Sequence, residues 1–224
     1  MRFAKAAFLL LACLFALPAT AQLIPVPGRP AAPQTTDKEN LWLLDLSTGG
    51  RVTIWLRPDA APKTVERIKA LTRQHFYDGL SFHRVIPGFM AQGGDPKGDG
   101  SGGSTLPDLK AEFNYLPHVR GAVAAARAAS DDSANSQFYI MFAPNLKLDK
   151  KYTVFGRVLE GMDYVDAIPP GDGDNGQVTG APVKILHAYI AADNPPAYQP
   201  PVAAASVALP PTLPAMPLKR ATKK

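Results

Sequence analysis

Residues 82–95, Phe82-His83-Arg84-Val85-Ile86-Pro87-Gly88-Phe89-Met90-Ala91-Gln92-Gly93-Gly94-Asp95, constrain the chain more than any other stretch. They read as two short strands joined at Pro87-Gly88, a pair that favours a turn. Side chains of a strand alternate between faces, so Met90 and Gln92 share a face, with Phe89 beside them at the turn. A cation (Arg84), an amide (Gln92) and two bulky apolar side chains (Phe89, Met90) then line one shallow groove. That set supplies neither metal ligands nor a nucleophile. It suits holding an apolar group beside a polarised peptide bond.

FHRVIPGFMAQGGD closely resembles the signature of the cyclophilins, the peptidyl-prolyl cis-trans isomerases. A second block, RVTIWLRPDAAPKTVERI, resembles the same family's run of a strand, then APKTV, then a helix. The resemblance extends from roughly residue 40 to 191. It implies a β-barrel with a helix covering each end.

The rest of the chain agrees with a mainly β fold. Apolar runs at 41–48 and 51–57 flank Gly49-Gly50, which predicts a hairpin closed by a two-residue turn. Val52, Ile54 and Leu56 alternate with Arg51, Thr53 and Trp55, so one face of the second strand is buried. Trp42 and Trp55 read as structural. Pro62 suits the first turn of a helix, and Val65, Ile68 and Leu71 give an amphipathic helix over 62–74. Gly98, Gly100 and Gly103 match G-x-G-x-x-G only formally. GGDPK precedes them instead of an apolar strand, and Leu106-Pro107 follows instead of a helix. A long loop needing permissive backbone angles is predicted there. GAVAAARAA, 121–129, favours helix by its alanines; the family resemblance places a strand there instead. SQFYIMF, 136–142, is a strand by its aromatic and β-branched content, with Gln137 and Tyr139 on one face. Further strands are predicted at 152–158 and 183–190, with a short helix around Met162, Val165 and Ile168. Eight strands with mostly antiparallel connections, and two helices, predict a closed eight-stranded antiparallel β-barrel capped by two α-helices.

The chain's 23 prolines cluster and mark the boundaries of this domain, expected over 37–192. Residues 1–21 read as a secretory signal peptide: Arg2 and Lys5, an apolar run from Ala6 to Leu17, then Ala19-Thr20-Ala21. The run is short for a span, which needs roughly 20 apolar residues. No integral membrane span is expected. The implied location is outside the cytoplasm, periplasmic or secreted. Residues 22–36 are a proline-rich linker, and 193–224 a proline- and alanine-rich tail with a basic end, predicted to be disordered. Cys13 is the one cysteine and leaves with the signal. Removing Arg2 and Lys5 lowers the net charge from +5 by two, to +3, too mild for a nucleic-acid partner.

The resemblance also implies the chemistry. Arg84 is the main catalytic residue, and Gln92 orients it or holds the substrate carbonyl. Phe89, Met90, Tyr139 and Leu148 form the pocket for a proline ring, and Gln137 matches a further groove glutamine. Ala126 fits the family pattern. Arg127 stands in the groove where the best-known pattern has asparagine, Tyr152 in the pocket where it has histidine, and Lys147 at the rim where it has tryptophan; Ala126, Arg127 and Tyr152 are thereby expected to bind substrate. His83 is read as structural, and His75, His118 and His187 as scattered, without metal-ligand spacing. No cofactor and no metal are expected. The expected partners are proline-containing polypeptides, unfolded or folding, met by a monomer. The alternative is a module that binds proline segments without turnover. If the three-part leader is cleaved after Ala21, mass spectrometry of the exported protein should give a chain starting at Gln22; an intact Met1 or a lipid on Cys13 would contradict it.

Overall fold

The computed structural model describes residues 36–200. The expected signal peptide, all but the last residue of the linker, and tail residues 201–224 lie outside the described residues. Among the described residues there are eight strands: β1 (Leu41–Leu46), β2 (Gly50–Leu56), β3 (Ser81–Ile86), β4 (Met90–Asp95), β5 (Ala122–Ala125), β6 (Phe138–Met141), β7 (Val154–Glu160) and β8 (Ile185–Ile190). Two α-helices, α1 (Pro62–Arg73) and α2 (Met162–Asp166), accompany them. All pairings are antiparallel, in the order β3-β4-β6-β5-β7-β2-β1-β8. The sheet curls into a half-barrel. Where its end strands β3 and β8 approach each other, an isolated bridge, Ser81–Lys184, is accompanied by backbone bonds Phe82 N to Val183 O (2.9 Å), Ile185 N to Leu80 O (2.8 Å) and Gly79 N to Ile185 O (2.7 Å).

The first hairpin differs in detail from its predicted turn. Gly50 already pairs with Leu46 as the first residue of β2, so the turn is Ser47-Thr48-Gly49. Gly49 takes a φ of +109°, open to glycine alone without strain. Gly50 is needed for a different reason. A Cβ there would sit 2.1 Å from the Tyr164 ring, which α2 lays against the strand.

Helix α1 starts at Pro62, as predicted, and buries Val65, Ile68 and Leu71 on one face. Each such side chain contributes about 1.5–3 kcal/mol when fully buried. Its N-cap, Ala61, has no side-chain acceptor. Glu112 takes that role from a distant loop, accepting from Lys63 N (2.9 Å), Thr64 N (2.8 Å) and Thr64 Oγ1 (2.7 Å). A carboxylate there also opposes the positive end of the helix dipole.

The core inside the curl is aromatic at its centre. Trp42, Tyr77, Phe82 and Phe138 are fully buried. Phe138 meets the other three edge-to-face, with centroids at 5.0 Å (Trp42), 6.0 Å (Tyr77) and 6.1 Å (Phe82). The start of the expected tail is anchored to this body. Arg73 bonds Asp193 at 3.0 Å, Arg51 donates to Pro196 O at 2.8 Å, and Tyr198 donates to Leu46 O at 3.2 Å. Phe138→Ala, which empties the centre of the aromatic cluster, should cost about 3–5 kcal/mol of stability. Chemical denaturation measures this; a loss below about 1 kcal/mol would show that the cluster is not the packing centre.

Candidate active site

The groove lies on the outer face of β4, β6 and β5. The register of β3 aims its key side chain there. Phe82 pairs with Gly93, but Arg84 pairs with Gln92. One extra residue, His83, therefore sits in β3 as a β-bulge. In a regular strand Phe82 and Arg84, two apart, would share a face. The bulge separates them: Phe82 enters the core while Arg84 stands over the groove. His83 is itself buried, and neither ring nitrogen has a partner. Burial is the main cause that holds its pKa below the ordinary 6.5.

Arg84 is fixed from two sides. Its Nε donates to Asn175 O at 2.8 Å, and its Nη1 to Gln92 Oε1 at 3.2 Å. Gln92 Nε2 then donates to Gln137 Oε1 at 2.9 Å, and Gln137 Nε2 to Gly100 O (3.0 Å) and Gly102 O (2.7 Å). Guanidinium only donates and a carbonyl only accepts, so both ends of this relay dictate which way each amide points. The glycine-rich loop supplies the far end of this relay. Asp95, buried at the end of β4, holds it by accepting from Lys97 N (2.8 Å) and Gly100 N (2.6 Å).

Beside Arg84 lies a cavity of about 200 Å3 lined by Arg84, Phe89, Met90, Gln92, Ala126, Arg127, Tyr139, Leu148 and Tyr152. Nine of the ten residues named from the sequence thus come together around one ring-sized space, part apolar (Phe89, Met90, Leu148) and part polar (Arg84, Gln92). The tenth, Gln137, lines an adjoining cavity of about 350 Å3 with Gln92, Ala126, Arg127 and the 100–104 loop. Arg127 was expected to face the substrate. It borders both cavities, but its guanidinium is committed elsewhere: to Asp131 at 2.8 Å, Ala128 O at 3.0 Å and Lys151 O at 3.2 Å. It also lies 4.6 Å above the Tyr152 ring. Lys147, set at the pocket rim by the resemblance, is exposed on the short 3-10 turn Leu146–Leu148.

The model of the family described as "Cyclophilin type peptidyl-prolyl cis-trans isomerase/CLD" matches residues 43–190. The chain belongs to the cyclophilin family. A probable peptidyl-prolyl cis-trans isomerase of Brucella suis biovar 1 (strain 1330) is 50% identical over 169 residues, covering 70% of this chain and 85% of that protein. Peptidyl-prolyl cis-trans isomerase B of Bacillus subtilis (strain 168) is 42% identical over 128 residues, 57% of this chain and 89% of that one. A crystallised cyclophilin from Hirschia baltica superposes with a TM-score of 0.62 at 26% identity, covering 70% of this chain and 76% of that one. A Cryptosporidium parvum cyclophilin-type isomerase, crystallised in the presence of the dipeptide Ala-Pro, gives 0.61 at 25% identity, covering 67% and 98%.

Two parts of this cyclophilin's groove were not found from sequence. Asn175, the second anchor of Arg84, lies 91 residues away in a loop with no motif. His118, read as scattered, is wholly buried beneath the pocket against Tyr139 and Asp149. Its pKa is lowered, chiefly by burial and against the pull of Asp149. Burial also pushes the Tyr139 phenol well above its ordinary value. The two buried histidines give stability a pH dependence near the ordinary histidine range. Each takes up a proton in the unfolded chain near the ordinary 6.5, and in the folded chain only at lower pH. The stability they contribute is therefore complete above about 6.5 and is lost as pH falls through that value. Thermal melts should show a flat midpoint above about pH 6.5 and a decline below it, shallower in His83→Leu. An identical decline in His83→Leu would show that His83 is not one of the responsible groups.

Proposed function

We propose that this cyclophilin accelerates cis-trans isomerisation of X–Pro bonds by stabilising the twisted amide with Arg84. Rotation about that bond breaks amide resonance, at a barrier of about 18–20 kcal/mol. No bond is made or broken. The enzyme has only to bind the twisted form better than the planar one. As the amide twists, the prolyl nitrogen becomes pyramidal and regains a lone pair. A donor held at that point stabilises the transition state and little else.

The observation that carries this reading is the double tether of Arg84 beside a ring-sized cavity with Phe89, Met90 and Leu148 in its wall. Phe89, Met90, Tyr139 and Leu148 would receive the proline ring, leaving its nitrogen beneath the guanidinium. Gln92 would keep Arg84 in place, and Gln137 would hold Gln92. The Ala-Pro dipeptide of the Cryptosporidium structure supports proline-containing substrates here. Such a relay has no purpose in a module that only holds proline segments, so the enzyme is the favoured reading.

The wider setting is also our reading. The leader-like residues 1–21 support export, to the periplasm or beyond, with folding exported chains as substrates. That it acts as a monomer is likewise our reading. Among the described residues no helix is long and apolar enough to cross a membrane. The bonds between 80–82 and 183–185 support closure of the half-barrel into a full barrel.

Losing one preorganised donor typically costs about 100- to 1000-fold in rate. Arg84→Ala should lower kcat/KM for a proline peptide by about that factor, with the circular dichroism spectrum intact. Arg84→Lys should recover only part of it, because an ammonium lacks the planar, fixed donors. Near-normal exchange by NMR in a folded Arg84→Ala protein would rule the mechanism out.

A further inference from the structure

The geometry points to His118, clamped by Asp149, as a positioning residue that holds both sides of the proline pocket and sets how tightly the enzyme engages proline. This rests on the isomerase reading above. His118 precedes β5 and is completely buried. Its backbone N and its Nδ1 both meet Asp149 Oδ1, at 2.8 and 2.9 Å. Its carbonyl accepts from Asn145 N at 2.8 Å. Three bonds thus fix the turn at 145–149, which carries Leu148 into the pocket. The fourth runs the other way: Nε2 lies 3.0 Å from the Tyr139 hydroxyl on β6. The His118 ring also stacks on Tyr139, with centroids 6.1 Å apart and 20° between planes, and meets Tyr152 edge-on at 6.4 Å. One buried residue therefore ties together pocket side chains from two stretches of chain, Tyr139 on β6 and Leu148 with Tyr152.

The proton positions follow from the partners. Asp149 faces Nδ1 as an acceptor, so Nδ1 carries the hydrogen. Nε2 then has only a lone pair, and the Tyr139 O–H donates to it. The titratable groups facing the ring are Asp149, Tyr139 and Tyr152, with the Arg127 guanidinium beyond Tyr152. Protonating His118 puts a hydrogen on Nε2 and reverses this bond. The Tyr139 hydroxyl loses its acceptor and must turn toward the groove. Among the described residues His118 has no bond to Arg84 or Gln92. Its loss should therefore raise KM and leave the step on bound substrate nearly unchanged.

The test uses an Ala-Pro peptide without titrating side chains, following Kd by titration and exchange by NMR. Asn at 118 keeps a donor where Nδ1–H stands and leaves nothing where Nε2 stands, so His118→Asn cuts the tyrosine link alone. His118→Asn and Tyr139→Phe should each raise KM and Kd about three- to tenfold, the range of one net hydrogen bond, with kcat within about twofold. The double variant should be no worse than the worse single one. In wild type, KM should rise as pH falls below the ordinary histidine range, and His118→Asn should lack that rise. Wild-type KM, Kd and pH profile in both variants would overturn the assignment, whatever their melting temperatures. So would a fall confined to kcat. If His118→Asn does not fold, Tyr139→Phe carries the same comparison. A failure of the isomerase reading would appear in wild-type exchange itself, and a failure of positioning in the variant-to-wild-type ratio of Kd.

Discussion

An arginine at a groove is useful for this chemistry only if it is held still. Its free side chain samples many rotamers, and ordering one costs up to about 1.5–2 kcal/mol. That cost must be met before substrate arrives if the donor is to act in the transition state. Here the bulge at His83 puts Arg84 on the correct face. Asn175 O and Gln92 then hold it at two different nitrogens. The relay does not end on another mobile side chain. It ends on the main-chain carbonyls of Gly100 and Gly102, in a loop that the buried carboxylate of Asp95 pins. A donor tethered in this way is preorganised in the sense that electrostatic catalysis requires.

The same strands separate stability from binding by face. On β6, Phe138 and Ile140 enter the aromatic core, while Tyr139 and Met141 belong to the cluster beneath the groove. On β5, Val123 and Ala125 face the core, and Ala122 and Ala124 the groove side. Alanines leave room there that larger side chains would fill. The fully buried Trp42–Phe138 packing thus supports a rigid floor, and the floor carries a cavity instead of another layer of core. The second support, His118 and Asp149, serves the side of the cavity formed by Tyr139 and Leu148. Arg84 and the pocket therefore rest on separate hydrogen-bond systems, which predicts separable effects on turnover and affinity.

Much of this was legible in the sequence because it is written in local order. Pro62 followed by Val65, Ile68 and Leu71 marks α1, and the 82–95 stretch places Arg84, Phe89, Met90 and Gln92 within one hairpin. The unread parts are those set by register or by distance along the chain. A bulge shows only when the partner strand is known, so nothing in FHR told that His83 was the extra residue. Gly49-Gly50 looked like a two-residue turn, but Gly50 pairs with Leu46 under the Tyr164 ring of α2, and the turn is Ser47-Thr48-Gly49. His118 meets partners 21 and 31 residues away, with no spacing to announce them. Arg127 aligned with a groove position, but the nearby Asp131 and the Tyr152 ring draw its charge aside.

The central claim is that the amide relay, and not the mere presence of arginine, makes Arg84 a catalyst. Gln92→Leu tests it most directly, since it removes the relay's link to Arg84 and leaves the guanidinium and its Asn175 bond intact. The measurement is the on-enzyme cis-trans interconversion rate of a saturating proline peptide, from NMR line shapes, beside its Kd. The account predicts a rate about tenfold or more below wild type, the cost of a lost hydrogen bond to a charged group, with Kd changed by less than about threefold. An unchanged on-enzyme rate in a folded Gln92→Leu protein would contradict it.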